Sequence, residues 1–488
     1  MYNWNSLVSG SDIRGIALGD NTNLTNDVVK SISIAFAMFI EKRKGVKIKD
    51  QVIAIGHDSR LSGSRLKDIF VNGLISVGAN VYNCDLCSTP AISMAPKILS
   101  CTASVEITAS HHPKEYNGFK FFTLDGGLKS TDIIDIVDIA RKSYYPKSDS
   151  IGTVRNIDLM KKYSEILKNM IKNGFESPLP LSDFHIVVDA SNGAGGFFVN
   201  VLKSLGADVT GSDLLDPDGN FKTHAPNPEK EESINHICKI TLDNKADLGI
   251  IFDADVDRCF LVDNEGIPIT RNRLIALVSK MVISEHPNSI IVTDSVTSDN
   301  LKNFIEKIGG HQFRERRGYQ NVISTAKDLN LDSKRCFLAI ETSGHAAFEE
   351  NEFKDDGAYL ATKIIINMVK LKNEKKKLSD EISDFKDSAE TKEIRFPMEN
   401  LEQIEGFLDT IREECPKIKG CSLDDDTPEG VRLNFEIIEE KNIYKGWCIF
   451  RQSAHDLSIV LNVESDDEGG IEKIFQNISS INVDKQNM

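Results

Sequence analysis

Three stretches of this chain share one local grammar: an apolar run ending in aspartate and serine, a polar or glycine-containing turn, an amphipathic helix, and glycine before the next strand. The first runs from Val52-Ile53-Ala54-Ile55-Gly56-His57-Asp58-Ser59 through a helical Arg65 to Val77 segment to Gly78-Ala79-Asn80-Val81. The second begins at Ile186-Val187-Val188-Asp189-Ala190-Ser191, continues with a helix over Phe198 to Leu205, and ends in Gly206-Ala207-Asp208-Val209. The third is Ile290-Ile291-Val292-Thr293-Asp294-Ser295, a helix over Leu301 to Ile308, then Gly309-Gly310. Strand, helix, strand in that order implies parallel pairing through a right-handed crossover. The chain therefore reads as three related α/β domains with mixed, mainly parallel sheets.

After a lysine-rich helix over Lys370 to Lys377 the texture changes. Lys392 to Phe396, Val431 to Phe435, Trp447 to Arg451 and Ile459 to Val463 read as strands, and Leu401 to Glu413 as a helix, which predicts a smaller α+β domain with an antiparallel sheet. With 488 residues, 40% of them hydrophobic, there is material for about three to five domains. The boundaries expected are 1–158, 159–266, 267–385 and 386–488.

A formal charge of −16 argues against general affinity for nucleic-acid backbone or anionic membrane, so a phosphate-bearing ligand must be held by a local basic pocket. No stretch approaches the ~20 apolar residues that cross a bilayer, and Met1 to Ser6 does not resemble a leader, so a cytoplasmic protein is expected. Nine cysteines, an odd number scattered along a large chain, fit reduced thiols. Cys84-Asp85-Leu86-Cys87 lacks the second pair that a zinc site would need. Gly193-Ala194-Gly195-Gly196 follows a strand, but a dinucleotide fingerprint from Gly193 would require glycine where Phe198 stands.

Four segments carry chemistry. In Thr108-Ala109-Ser110-His111-His112-Pro113, continuing to Asn117-Gly118-Phe119-Lys120, a serine hydroxyl sits among imidazole and ammonium groups. Asp253-Ala254-Asp255-Val256-Asp257-Arg258 lies between two apolar strands; if extended, it would turn its three carboxylates to one side, where they need a hard cation, Mg²⁺ or Ca²⁺. A calcium EF-hand loop would need glycine at Arg258 and glutamate at Asn264, which leaves Mg²⁺ with a phosphate oxygen as the better account. Glu341-Thr342-Ser343-Gly344-His345 offers acceptor, donor and imidazole, suited to vicinal sugar hydroxyls. Arg451-Gln452-Ser453-Ala454-His455 offers guanidinium, hydroxyl and imidazole, suited to phosphate.

Together with Ser11-Asp12-Ile13-Arg14-Gly15, these segments in this order resemble the α-D-phosphohexomutase superfamily of phosphoglucomutases and phosphomannomutases over nearly the whole chain. The resemblance implies four domains around a central cleft. It implies a phosphoryl group carried on Ser110, one Mg²⁺ per chain held by Ser110, Asp253, Asp255 and Asp257, and interconversion of hexose 1-phosphate and 6-phosphate through a hexose 1,6-bisphosphate. Arg14, His111, Lys120 and His345 are the implied catalytic groups, His345 the first candidate for acid–base work and Lys120 the second. Glu341, Ser343, Arg258, Arg451, Ser453, His455, Gly318 and Tyr319 are the implied substrate contacts. The expected partner is a small sugar phosphate, with neither nucleic acid nor membrane, and the protein a monomer or dimer.

The chain departs from the family pattern at His112, Ala254 and Ala454-His455-Asp456-Leu457, and adds Arg316 and Arg317 before Gly318-Tyr319. Two rival readings are a metal-dependent sugar phosphatase that would not need Ser110, and a catalytically idle phosphosugar binder.

Overall fold

The computed structural model describes residues 3–439, 442–453 and 457–479. The chain separates into two compact units, the first comprising Met1–Thr270 with Ser343–Leu378, the second Arg271–Thr342 with Ser379–Met488.

Two sheets organise the first unit. The larger runs in the order Val8–Ser9, Asp12–Ile16, Tyr116–Thr123, Ala103–Ile107, Val52–His57, Asn80–Leu86, Val154–Asn156. Val52–His57 pairs parallel with both neighbours, while Ala103–Ile107 and Tyr116–Thr123 run antiparallel. Its apolar face packs Phe36, Phe70, Phe119 and Phe121 together, with the Phe36 and Phe121 rings 4.7 Å apart. Phe36 comes from the helix Asn26–Lys44, which the Thr25 hydroxyl caps at one end and Gly45, at φ 70°, closes at the other.

The second sheet has the order Pro268–Ile269, Cys259–Asp263, Leu248–Phe252, Ile186–Asp189. Here the pattern departs from expectation, because Gly206 to Val209 contributes a single isolated bridge, Asp208 to His185, and the next bridge, Asp213 to Asp189, lies beyond it. The Asp208 carboxylate also accepts from the Thr210 backbone and hydroxyl at 2.9 and 2.7 Å, a local turn that interrupts the ladder after Asp208. The hairpin Ala346–Phe348 with Lys354–Asp355 and the helix Gly357–Asn373, capped by Asp356, complete this unit. That helix stops before the lysine run ends, and Lys375 adopts φ 60°.

In the second unit Ile290–Asp294 pairs parallel with His311–Glu315 and Cys336–Ile340. A fully antiparallel sheet follows, in the order Glu390–Pro397, Ser458–Ser465, Asn442–Gln452, Val431–Glu439, Cys421–Leu423. The helix Leu401–Glu414, capped by Asn400, lays Ile404, Phe407 and Ile411 into the core of that sheet.

Candidate active site

The serine turn is built by a buried guanidinium. Arg60 donates to the backbone carbonyls of Ser110, His112, Pro113 and Tyr116, and its Nε lies 3.3 Å from the Asp58 carboxylate. Asp58 also accepts from the Thr108 hydroxyl, which in turn accepts from the Ser110 N–H at 2.8 Å. This scaffold holds Ser110 at φ 50°, a left-handed conformation that a serine adopts only where its surroundings enforce it.

The hydroxyl so presented donates to Asp253 Oδ2 at 2.8 Å, with Arg258 3.3 Å away and His111 Nδ1 at 3.3 Å. Asp253, Asp255 and Asp257 converge because the loop turns, with Val256 at φ 69°, and not through the extended alternation expected from the sequence. Gly193, which fits no dinucleotide motif, has its reason here: a Cβ would meet the Ala254 carbonyl oxygen at 2.5 Å.

One ligand oxygen from each of these aspartates lies within 4.8 Å of the others. Asp255 Oδ1 and Asp257 Oδ1 are buried without a hydrogen-bond partner among the described residues. Lys120 bridges Asp255, at 2.9 Å, and Asp257, while Arg258 Nε lies 3.7 Å from Asp253 and 3.9 Å from Asp257. Burial, then the charges of Asp257 and Asp255, pushes the Asp253 carboxyl well above the usual range. A dry trio of carboxylates with unsatisfied oxygens fits a hard divalent cation, so the cluster is able to hold a metal.

His345 hydrogen-bonds Asp355 and lies 3.8 Å from Asp257. Burial alone would lower its pKa, but the Asp355 and Asp257 carboxylates outweigh it and raise the value. His111 behaves oppositely: burial, Arg258 and Arg14 hold it well below the ordinary histidine range, and its Nδ1 faces the Arg258 guanidinium. Arg14 pairs with Asp12 at 3.0 Å on the strand next to Lys120's strand. Ser343 is buried in the same unit as His345.

The second unit gathers a different set. Gly318, at φ 124° and therefore suited to glycine, donates its N–H to Glu341 at 2.6 Å and opens the helix Tyr319–Leu331, with Tyr319 half-buried. Glu429 accepts from the Arg317 N–H at 3.0 Å. Arg451 donates to Asn462 at 3.3 Å, and burial, then the nearby Arg317 charge, lowers its pKa. Ser453 is buried beside it in sequence, and His455 lies outside the described residues. Arg316 reaches the Pro428 carbonyl at 3.2 Å.

Sequence reasoning passed over Arg60, Asp355, Thr89, which donates to Asp255, and Glu229, which lies 3.3 Å from Arg258. For Arg60 a signal existed, since it directly follows the strand-ending Asp58-Ser59; Asp355 and Glu229 gave none.

Models of phosphoglucomutase/phosphomannomutase alpha/beta/alpha domains I, II and III match residues 6–145, 161–266 and 270–387 in succession. A phosphomannomutase/phosphoglucomutase of Pseudomonas aeruginosa is 28% identical over 473 residues, 96% of this chain and 94% of its own. A phosphoglucomutase/phosphomannomutase family protein from Burkholderia thailandensis superposes with a TM-score of 0.80 over 98% of this chain and 97% of its own, at 22% identity. The N-acetylphosphoglucosamine mutase of Aspergillus fumigatus, solved with GlcNAc-6P and magnesium, covers 93% of this chain and 96% of its own, with a TM-score of 0.53 and 12% identity. Matches in three consecutive domains, a relative aligned end to end and the shared fold converge on one conclusion: the chain belongs to the phosphoglucomutase/phosphomannomutase family, the intramolecular phosphotransferases of the α-D-phosphohexomutase superfamily.

Proposed function

We propose that this mutase interconverts the 1- and 6-phosphates of glucose, mannose or both, with Ser110 lending a phosphoryl group and taking one back. The observation that carries this reading is the Ser110 hydroxyl donating to Asp253 at 2.8 Å in a buried site that also holds Arg258 and Lys120. On this reading the phosphoryl group on Ser110 passes to the free hydroxyl of a bound hexose monophosphate. The resulting hexose 1,6-bisphosphate reorients, and its other phosphate returns to Ser110, leaving the isomeric monophosphate.

Phosphoryl transfer demands positive charge fixed where the equatorial oxygens gather negative charge. Mg²⁺ held by Asp253, Asp255, Asp257 and a Ser110 oxygen would supply that charge, a reading supported by the magnesium named for the Aspergillus neighbour. Arg258 adds charge 3.3 Å from the serine oxygen, and His111, its pKa lowered by burial and the neighbouring guanidiniums, lies within hydrogen-bonding reach of that oxygen. Arg14, electrostatically felt by His111, extends the positive lining.

The sugar hydroxyl must lose its proton as it attacks and regain one as it leaves. His345, poised by Asp355, is assigned this exchange, with Lys120 as the alternative. Glu341 and Ser343 are assigned the sugar hydroxyls, and Arg451, Ser453 and His455 the phosphate that is not reacting. Gly318 and Tyr319 are assigned to sugar orientation. The cytoplasmic setting belongs to the same reading; no helix among the described residues is long and apolar enough to cross a membrane.

Ser110→Ala should leave the fold intact and lower mutase turnover on glucose 1-phosphate and mannose 1-phosphate by roughly 1,000-fold or more. Mass spectrometry of the wild type should find phosphate on Ser110. Normal turnover in the purified variant would rule out the phosphoserine.

A further inference from the structure

Away from the acidic loop, two histidines converge on one carboxylate oxygen. His224 Nε2 and His236 Nδ1 each lie 2.9 Å from Asp189 Oδ2, and Asp189 Oδ1 accepts from the Ser191 N–H at 2.8 Å. The distal nitrogen of each ring is separately anchored. His224 Nδ1 lies 2.8 Å from the Ala225 carbonyl oxygen, which can only accept, and 3.1 Å from the Ser233 hydroxyl, which donates to that same carbonyl at 3.1 Å, so this nitrogen carries the proton. The neutral ring then turns the Nε2 lone pair on the carboxylate lone pair. His236 stands between two carboxylates, its Nε2 being 3.2 Å from Asp213 Oδ2, and a neutral imidazole has a single N–H to offer them. The cluster needs either two additional protons or one divalent cation.

The anchoring is that of metal-ligating histidines, whose second nitrogen donates to a backbone carbonyl or a carboxylate and fixes the ring. The three candidate ligand atoms lie within 4.8 Å of one another. Tetrahedral N and O ligands at ordinary zinc distances stand about 3.3 Å apart, so the 2.9 Å edges would open by a few tenths of an ångström. Two imidazoles and a carboxylate select a borderline transition metal over magnesium. The Asp189 and His224 side chains are buried, whereas His236 is 19% and Asp213 52% exposed, which leaves an entry side.

We propose that Asp189, His224 and His236 form a second cation site, for a zinc-like divalent ion, with Ala225 and Asp213 orienting the two histidines. The site is independent of the mutase assignment, though physically close to its scaffold. Asp189 pairs with Ile251 two residues before Asp253, and Ser191 donates to the Phe252 carbonyl at 2.6 Å. An ion there would brace the strand ends from which the acidic loop departs.

Cobalt(II) titration of the chelator-stripped full chain in excess magnesium tests this. The wild type should take up one equivalent with the intense visible bands of a four-coordinate nitrogen-containing site, releasing protons as it binds. His236→Gln should abolish the bands, Asp213→Asn should weaken binding by about 10- to 100-fold, and Asp255→Asn should leave it unchanged. A wild type without the bands would show a cluster held by protons alone, and bands that survive His236→Gln would place the ion elsewhere; either result would overturn the proposal. Should His236→Gln fail to fold, unchanged cobalt affinity in Asp213→Asn, a more exposed position, would overturn it equally.

Discussion

The serine and acidic loops of the first unit and the arginine-bearing loops of the second handle charge in opposite ways. In the first, Asp253, Asp255 and Asp257 are dry, and Lys120 and Arg258 compensate them. In the second, Arg317 and Arg451 are the charged centres, with Glu429 and Glu393 around them. A fixed, water-poor array of acids suits a cation and a transferring phosphoryl group, where reorganisation would raise the barrier. Arginines balanced by glutamates suit reversible capture of a phosphate, because the carboxylates hold the guanidiniums in place without neutralising them permanently. The difference predicts that damage to the first region strikes turnover, and damage to the second strikes affinity.

The sharpest way to break that contrast is His345→Ala. It should lower kcat by about 100- to 10,000-fold and reshape the pH–rate profile. A profile of unchanged shape would transfer the acid–base role to Lys120. Next comes Arg60→Met, which strands Asp58 and four carbonyl groups in the interior. Urea unfolding should register a loss of about 3–5 kcal/mol, with activity lost alongside as the Ser110 turn relaxes. Stability within 1 kcal/mol of wild type, on the order of an ordinary surface change, would deny Arg60 its organising role.

A smaller effect is expected in the second unit. Arg451→Ala should raise KM by about 10- to 100-fold while kcat changes far less, the cost of a charge-assisted contact. A loss confined to kcat would erase the division between chemistry and recognition.

The last effect concerns protons and touches stability without touching turnover or affinity at a fixed pH. Burial, then the Glu341 charge, raises Asp294 to about 7 from 3.8, so the folded chain binds a proton at this site that the unfolded chain releases. Its contribution is complete below about pH 4 and disappears as the pH rises towards 7, a slope of up to about 1.4 kcal/mol per pH unit. Asp294→Asn should flatten the urea-midpoint profile across that window. A wild-type slope that persists in the variant would place the proton elsewhere.

Much of this was legible in the sequence because the chemistry is contiguous. Ser110 with His111, the aspartates at 253, 255 and 257, and Glu341 with Ser343 and His345 are short runs on turns after strands, and the strand–helix–glycine rhythm announced the α/β sheets. What could not be read is long-range. Arg60 finds carbonyls some fifty positions away, and Asp355 faces His345 only because a hairpin folds back. The interruption at Gly206 to Val209 is instructive as well, since Asp208 keeps its backbone bonds to Phe184 and Ile186 while its carboxylate turns the chain at Thr210, leaving a single bridge where a strand was expected.

By itself the sequence determined the class of domains, and it singled out the residues proposed for phosphoryl chemistry and three carboxylates able to hold a metal, because these follow from composition and short-range pattern. Tertiary structure alone decided that Ser110 meets Asp253, that Lys120 lies between Asp255 and Asp257, and that the His111 pKa is lowered while the His345 pKa is raised. The physical reason is that desolvation and through-space charge depend on which distant side chains share a dry volume, and no local pattern encodes that.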